Sequence, residues 1–397
     1  MRTPTALFYS QSSSTIQRLQ AEITQTQLQI SSGRRVLSPS DDPVAASQLS
    51  SIESALAQNE QYQRNANLAT SRLSIEETTL TDIQNVLFRV RDLAVQANND
   101  TQTVESRRFL AVEAEQLRTQ LAELGNRRDG QNNFLFGGFQ SRTEPFSIAG
   151  GNVSYNGDDG QRQLQIGPTR FVADGDSGAA LFMNVPNGNG QFATLAGAAN
   201  AGTGVIDAGS LDGVSAWDGS TYTIRFTSET TYDVEDAGGL VVSSATFEPG
   251  DTVSVPNANV NIDGAPATGD TFTVSPSVSQ DIFETVQNFV DALRDVTPGD
   301  QANARLHNEI NRVLTDVDQS VGNVLDTRSR VGSRLQAISN QENSNADFDL
   351  TLQTTRSTLQ DVDYTEAISL LNQQITSLQA AQQTFTRVQG LSLFNVI

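Results

Sequence analysis

Apolar residues recur at alternating steps of three and four positions in five segments of this chain, and this spacing constrains the fold more than any other feature. Heptad spacing of this kind aligns the apolar side chains along one narrow stripe of an α-helix, where they can pack against another helix. Three of the segments precede residue 125, and two follow residue 300. The chain is therefore predicted to begin and end in long helices that pack against one another.

The first and last segments are expected to pair and to form an assembly surface. Residues 3–17 and 367–386 contain no charged side chain. Isolated helices with a narrow apolar stripe and a polar, uncharged back are marginal in water. We therefore expect both ends to be weakly ordered in the free monomer and to be completed by copies of the chain in a polymer. The stripe residues assigned to this interface are Ile16, Leu19, Ile23, Ile30, Leu371, Ile375, Leu378 and Phe385.

The second segment contains a break in its stripe. Leu73 and Leu80 lie in register with the apolar residues that follow, but Glu76 occupies the position between them.

Between the helical segments, residues 141–280 predict an inserted β domain. Gly and Pro recur every few positions, with Val, Thr, Phe and Tyr between them, which is typical of short strands joined by tight turns. The fold class expected is mainly α with an inserted all-β domain of sandwich or barrel type. Both chain ends are expected to contribute to a long antiparallel helical bundle or coiled coil.

These boundaries divide the chain into three expected domains. Residues 1–40 and 365–397 would form a terminal coiled-coil assembly domain, and residues 41–140 and 281–364 a helical bundle domain. The β domain would occupy residues 141–280.

The segment "SSGRRVLSPSDDPVAASQL", residues 31–49, is interpreted as a turn between two helices. Adjacent residues on a helix do not face each other, so the acid doublet at 41–42 is not a convergent pair for acid–base chemistry. Pro43 suits the first position of a helix, and an acid before it can accept hydrogen bonds from the free N–H groups. Gly33 is expected to end the preceding helix. The residues assigned to polar contacts at this turn of the assembly interface are Arg34, Arg35, Asp41 and Asp42.

The sequence contains no residue set for catalysis, metal binding or cofactor binding. It has no cysteine and one histidine, His307, so a zinc site of cysteine and histidine ligands is excluded. A serine triad would need His307 beside a nucleophile turn, and no G-x-S-x-G occurs. His307 is interpreted as a solvated helical residue. The acid-and-glycine segments at 156–160 and 173–178 lack the ligand spacing of an EF-hand and are interpreted as turns.

Charge and hydropathy exclude two classes of partner. The net charge is -21 and lysine is absent, so the chain lacks the concentrated basic patch that nucleic acids and anionic membranes require. No apolar run approaches the ~20 residues needed to span a bilayer. The start, "MRTPTALFYSQSSS", has no sustained apolar core. It is not expected to be a secretory signal peptide, so any export would keep this segment.

Two segments near the chain ends resemble the sequence signatures of a known protein family. Residues 30–49 resemble the N-terminal signature of bacterial flagellins and their hook-associated relatives, and "STLQDVDYTEAISLL", residues 357–371, resembles the matching C-terminal signature. Three features are similar to the hook-associated branch. They are the SPSDDP form of the turn, "NNFLFGGFQS" at 132–141 and "IDGAPATGDTFTV" at 262–274.

The resemblance implies a structural component of the bacterial flagellum at the junction between hook and filament, and no enzyme. It implies export by the flagellar type III apparatus with the help of an export chaperone, an extracellular location, and a ring of identical subunits. The implied partners are copies of the chain itself, the first hook-associated protein on the hook side and flagellin on the filament side. In the superfamily the terminal segments form the innermost coiled-coil layer of the tube, and the inserted domain projects outward.

Two other functions remain compatible with the sequence. A filament flagellin of the same superfamily would be the bulk protein of sheared filaments, whereas a junction protein would be a trace component at their base. A secreted adhesin on a coiled-coil stalk would form a stable dimer or trimer without flagellar partners. An extracellular hydrolase would need catalytic residues that the sequence lacks.

Overall fold

A computed structural model describes residues 3–149, 152–213 and 216–393 of the chain. Long helices lie at both ends of this described part, as the heptad spacing predicts. The α-helices are α1 (Thr3–Ser32), α2 (Pro43–Ala97), α3 (Val104–Gly125), α4 (Ile282–Arg294), α5 (Asp300–Gln360) and α6 (Tyr364–Leu393).

All of the described strand pairs are antiparallel, and they lie between α3 and α4. The first strands are β1 (Phe146–Ala149), β2 (Asn152–Tyr155), β3 (Gln163–Gln165), β4 (Phe171–Ala173), β5 (Val185–Pro186), β6 (Phe192–Ala196), β7 (Val205–Ile206) and β8 (Ser210–Leu211). They are followed by β9 (Tyr222–Ser228), β10 (Thr231–Glu235), β11 (Val241–Thr246), β12 (Thr252–Val255), β13 (Ala258–Asp263), β14 (Thr271–Pro276) and β15 (Ser279–Gln280). A π-helical turn, Ala179–Met183, precedes β5.

The apolar stripes of α2 and α5 form the helical core. Their heptad positions are buried together with apolar residues of α3 and α4. The buried stripe residues are Leu73, Leu80, Ile83, Leu87, Val90 and Ala94 on α2, and Leu306, Ile310, Val313, Val317, Val324, Val331 and Ile338 on α5. The expected mainly α fold with an inserted β region is confirmed.

The inserted region has two parts with different cores. In the first part, β1 to β4 and the π-helical turn pack onto the helices. Phe146 lies at the centre of this contact, with ring centroids 4.9 Å from Phe182 and 5.3 Å from Phe283 on α4. The buried apolar residues before β6 thus belong to the helical core.

The second part is a β-sandwich with a core of its own. One sheet has the order β11-β10-β9-β14-β6, and the other has the order β12-β13-β7 with β8 also paired to β13. The two sheets contribute alternating residues to a single apolar cluster, as expected for sheets packed face to face. Buried members include Ile224, Phe226 and Phe272 from the first sheet and Val260 and Ile262 from the second.

Contacts along the chain define two compact units. One unit contains residues 1–64 and 341–397, and the other contains residues 65–340. The helical core and the β-sandwich both belong to the second unit. The division into three domains with boundaries at residues 40, 140, 280 and 364 stays a prediction, which limited proteolysis of the purified chain would test.

Candidate assembly surface

Helices α1 and α6 form an antiparallel pair within the unit made of the two chain ends. The rings of Tyr9 and Phe385 meet edge to face, with centroids 5.7 Å apart. Towards the other end of the pair, the hydroxyl of Thr26 donates to the side-chain oxygen of Gln374 at 3.0 Å. The Thr26 side chain is buried, so this bond sets the register between the two helices.

The stripe residues predicted for the interface lie along this helix pair and are half-buried in the single chain. This holds for Ile16, Leu19, Ile23, Ile30, Leu371, Ile375, Leu378 and Phe385. A groove of about 500 Å³ between the helices is lined by Leu7, Phe8, Ile16 and Phe385, among others. The stripe therefore serves first to join α1 to α6.

A second set of apolar residues in this unit is exposed, and the heptad spacing did not identify it. These residues are Leu7, Phe8, Leu28, Tyr364, Ile368 and Leu370. Ile368 and Leu370 lie in the C-terminal signature, next to the predicted Leu371. These six residues are candidates for contacts with other proteins, because exposed apolar surface often marks interaction sites.

The acid doublet orders the turn between α1 and α2, as predicted. The Asp41 carboxylate accepts hydrogen bonds from the main-chain N–H groups of Ser38 and Leu37, which lower its pKa. Asp42 caps α2 by accepting from the N–H of Ala45 at 3.0 Å, and this bond lowers the pKa of its carboxyl. Both contributions to stability are present above the ordinary pKa of 3.8 and are lost as the pH falls below it.

The two predicted arginines join this turn to the segment before α6. The main chain of Arg34 forms an antiparallel β-bridge with Asp361. Arg35 donates its main-chain N–H to the carbonyl of Gln360 at 2.6 Å, and its guanidinium lies 3.3 Å from the Asp42 carboxylate. The two signature segments, distant in sequence, are thus in direct contact.

Substitution of Gly33 by Ala is expected to destabilise the unit formed by the chain ends. Gly33 has φ +71°, and an added Cβ would lie 3.1 Å from the Tyr364 hydroxyl oxygen. A left-handed conformation costs a residue with a side chain roughly 1–2 kcal/mol. Gly322→Ala, inside α5 with no atom within 4 Å of the added methyl, is the matched control and should stabilise by about 1 kcal/mol. Urea unfolding followed by circular dichroism measures both, and equal effects of the two variants would contradict the prediction.

A buried ionic cluster in the second unit explains the break in the α2 stripe. Glu76 is 1% exposed, and its Oε1 accepts the main-chain N–H of Asp176 at 3.1 Å. Burial, reinforced by the charge of Asp176, raises the pKa of the Glu76 carboxyl to about 8. Arg334 on α5 donates two hydrogen bonds of 2.9 Å to the Asp176 carboxylate. The raised pKa favours the protonated, uncharged form of the Glu76 carboxyl, which lowers the cost of burying it.

Arg72, one helical turn before Glu76, extends the cluster. Its guanidinium lies 2.7 Å from the Asp129 carboxylate and also donates to two main-chain carbonyls of the loop after α3. The buried Asp174 carboxylate accepts from Arg162 Nε at 2.8 Å. These ion pairs hold α2, the loop after α3 and the β3–β4 hairpin together.

The segment 173–178 is therefore more than a solvated turn. Its carboxylates, Asp174 and Asp176, are buried and form ion pairs with Arg162 and Arg334. In the described part of the chain, no group of three or more acidic, histidine or cysteine side chains is placed to hold a metal ion.

His307, expected to be solvated, is instead part of a contact. Only 19% of its side chain is exposed. Its Nδ1 lies 2.5 Å from the side-chain oxygen of Asn98, and its Nε2 lies 2.8 Å from the Asp100 carboxylate. His307 thus ties α5 to the loop between α2 and α3, which is a structural role.

None of the helices in the described ranges combines the length and the apolar character needed to cross a membrane.

Sequence comparison places the chain near flagellar proteins. Residues 5–141 match the bacterial flagellin N-terminal helical region. The chain is 28% identical over 396 residues to flagellar hook-associated protein 3 of Salmonella typhimurium, and the match spans 100% of this chain and 99% of that protein.

Structure comparison agrees with the sequence match. The crystal structure of Xanthomonas campestris FlgL is 34% identical with a TM-score of 0.73, and the match covers 77% of this chain and 99% of that one. The crystal structure of the flagellar junction protein FlgL from Legionella pneumophila is 30% identical with a TM-score of 0.69, covering 79% of this chain and 100% of that one. The likeness therefore extends over nearly the whole of each solved structure.

Proposed function

The chain belongs to the family of flagellar hook-associated protein 3, and on this premise we propose that it joins the flagellar hook to the filament by assembling into a ring through its terminal helices. It is a hook–filament junction protein of the bacterial flagellum. The observation that carries the mode of assembly is the α1–α6 pair, which brings the two family signatures together and leaves apolar side chains uncovered.

Assembly would use two sets of contacts, one within each chain and one between neighbouring copies. The half-buried stripe residues first join α1 to α6, as the bond between Thr26 and Gln374 indicates. The exposed residues of the same unit, such as Leu28, Ile368 and Leu370, would then contact α1–α6 pairs of neighbouring copies. Because these helices have an uncharged back over residues 3–17 and 367–386, many copies can lie side by side without repulsion.

The partners would differ at the two ends of the ring. We assign the first hook-associated protein to the hook side and flagellin to the filament side, with the flagellar export apparatus and an export chaperone acting before assembly. Export to the outside of the cell follows from the flagellar location. A structural role without catalysis agrees with the flagellar proteins that the chain resembles.

Electron microscopy of a strain that lacks this chain tests the proposed function. We expect hooks without filaments, and we expect the full-length gene on a plasmid to restore the filaments. Filaments growing on the hooks of the deletion strain would contradict a junction role.

The amount of protein separates the junction role from that of a filament flagellin. Sheared filaments from the wild-type strain should contain this chain only as a trace component. Its presence as the bulk protein would favour the flagellin alternative, and a stable dimer or trimer of the purified chain in sedimentation would favour the adhesin alternative.

A further inference from the structure

Two buried polar atoms approach the same point beside Gly175. The Arg72 side chain is 6% exposed, and its Nε has no hydrogen-bond partner within the described chain. The same is true of Oε2 of Glu76. A methyl group on Gly175 would lie 3.4 Å from Arg72 Nε and 3.7 Å from both Glu76 Oε2 and the carbonyl oxygen of Leu135. A donor, a carboxyl oxygen and a carbonyl oxygen thus surround one small space.

A cavity of about 90 Å³ adjoins this point. It is lined by Arg72, Leu135, Asp174 and Gly175, among others, and Glu76 is not one of its lining residues. One water molecule requires roughly 10–15 Å³ of such volume and two to four polar partners. Buried polar atoms in folded proteins almost always have a hydrogen-bond partner, from the chain or from ordered water.

The charges around the space favour a neutral occupant. The arginines of the cluster are each paired with a carboxylate: Arg72 with Asp129, Arg162 with Asp174, and Arg334 with Asp176. The three pairs hold three positive and three negative charges. A protonated Glu76 carboxyl adds no further charge to the cluster. A bound cation or anion would leave a net charge in a buried site, which is costly.

We propose that a water molecule is bound beside Gly175 and joins Arg72, Glu76 and Leu135. The water accepts a hydrogen bond from Arg72 Nε–H. Since Glu76 Oε1 already accepts from the Asp176 N–H, the carboxyl proton resides on Oε2 and is donated to the water. The water in turn donates to the Leu135 carbonyl oxygen, which has a second lone pair beside the one facing the Arg72 guanidinium.

This water explains why a glycine occupies position 175. Its φ lies outside the left-handed region, and the nearest atoms to an added methyl are at ordinary van der Waals distances. Neither backbone strain nor a clash therefore requires glycine here. A methyl group would instead occupy the space of the water and leave Arg72 Nε and Glu76 Oε2 without a partner.

Gly175→Ala in the full-length chain tests the proposal. At a position that accepts alanine without strain, this change normally stabilises a protein slightly. Here we expect the unfolding equilibrium constant, measured by urea denaturation at pH 7, to rise at least tenfold. Gly130→Ala is the matched control, because its methyl would meet no atom within 4 Å and its φ is also outside the left-handed region. The control should leave the constant unchanged or lower it.

A crystal structure of the wild-type chain gives a second, independent test. We expect a solvent peak within hydrogen-bond distance of both Arg72 Nε and Glu76 Oε2, and its loss in Gly175→Ala. An empty site, a site filled by an ion, or a Gly175→Ala variant as stable as the wild type would each overturn the proposal. If the variant fails to fold, the wild-type electron density alone decides.

Discussion

Removal of residues 372–397 is expected to abolish swimming and filament attachment while residues 65–340 stay folded. The deletion takes away most of α6, including Phe385 and Gln374, and so leaves α1 without the partner that covers its apolar stripe. A lone helix of this composition is marginal in water, so α1 is expected to lose its helical structure as well. Motility in soft agar and electron microscopy of the cells measure the effect on assembly, and circular dichroism of the purified chain measures the remaining helix.

Two controls make this result specific to assembly. The truncated chain must be found in the culture medium, which separates a failure to assemble from a failure to be exported. A deletion of residues 237–239, in the exposed turn between β10 and β11, changes the chain length without touching the α1–α6 pair. It should leave motility intact. Filaments on cells that carry only the chain lacking residues 372–397 would contradict the proposed role of the terminal helices.

Substitution of Glu76 by Gln is expected to stabilise the second unit strongly at alkaline pH. The pKa of Glu76 is raised from 4.5 to about 8 in the folded chain, chiefly by burial. The folded state therefore binds one proton more than the unfolded state between these values, and stability is lost as the pH rises through this range. Each pH unit corresponds to about 1.4 kcal/mol, so the loss at pH 8 is on the order of 4 kcal/mol. Glutamine keeps the shape and a donor group but carries no charge, so the variant should avoid this loss.

The measurement is the difference in free energy of unfolding between Glu76→Gln and the wild type as a function of pH. We expect it to be small near pH 4.5 and to grow steadily to pH 8. The neighbouring Glu77→Gln is the matched control, because the Glu77 carboxylate is partly exposed and pairs with Arg328 at 2.7 Å. That variant should lose a little stability and show no gain at alkaline pH. A Glu76→Gln variant that gains nothing between pH 4.5 and 8 would show that the group is charged in the folded chain.

The helical core shows how many of its helices could be predicted from apolar spacing in the sequence. The α2 and α5 segments were predicted as helices with an apolar stripe, because heptad spacing reports directly on one face of a helix. α4 was not identified as a separate stripe, although Asp281 caps it and Phe283, Val286 and Phe289 lie on its buried face. With only 13 residues, α4 is too short for a sustained heptad pattern, and its cap was the available signal.

The β region shows what cannot be predicted from the alternation of apolar and polar residues. Alternation of apolar and polar residues indicates that one face of a strand is buried, but it does not indicate what covers that face. β1 to β4 lie within the predicted β region, and their residues Phe146 and Val172 are buried in the same cluster as the helical residues. The sandwich from β6 to β14 has an apolar core of its own.

For the candidate interface, too, some residues could be predicted from the sequence and others could not. The stripe residues Ile16 and Leu371 could be chosen from spacing, whereas the exposed Leu28 and Ile368 lie off the stripe and required the packed α1–α6 pair to be recognised. Their part in contacts between copies stays a prediction. A test by substitution with Gln at Leu28 or Ile368 would probe those contacts without disturbing the pair itself.

The sequence alone determined the long helices, the β character of the region between them, and local ends such as the cap at Asp42 and the stop at Gly33. Those features depend on interactions between residues a few positions apart, which a pattern records directly. Only the tertiary structure decided which stripe packs on which, the register between Thr26 and Gln374, and the burial of Glu76 that raises the pKa of its carboxyl. These depend on groups that are distant in sequence, and several apolar stripes of the same period could compete for each partner. The free energy of the complete packed arrangement selects among them.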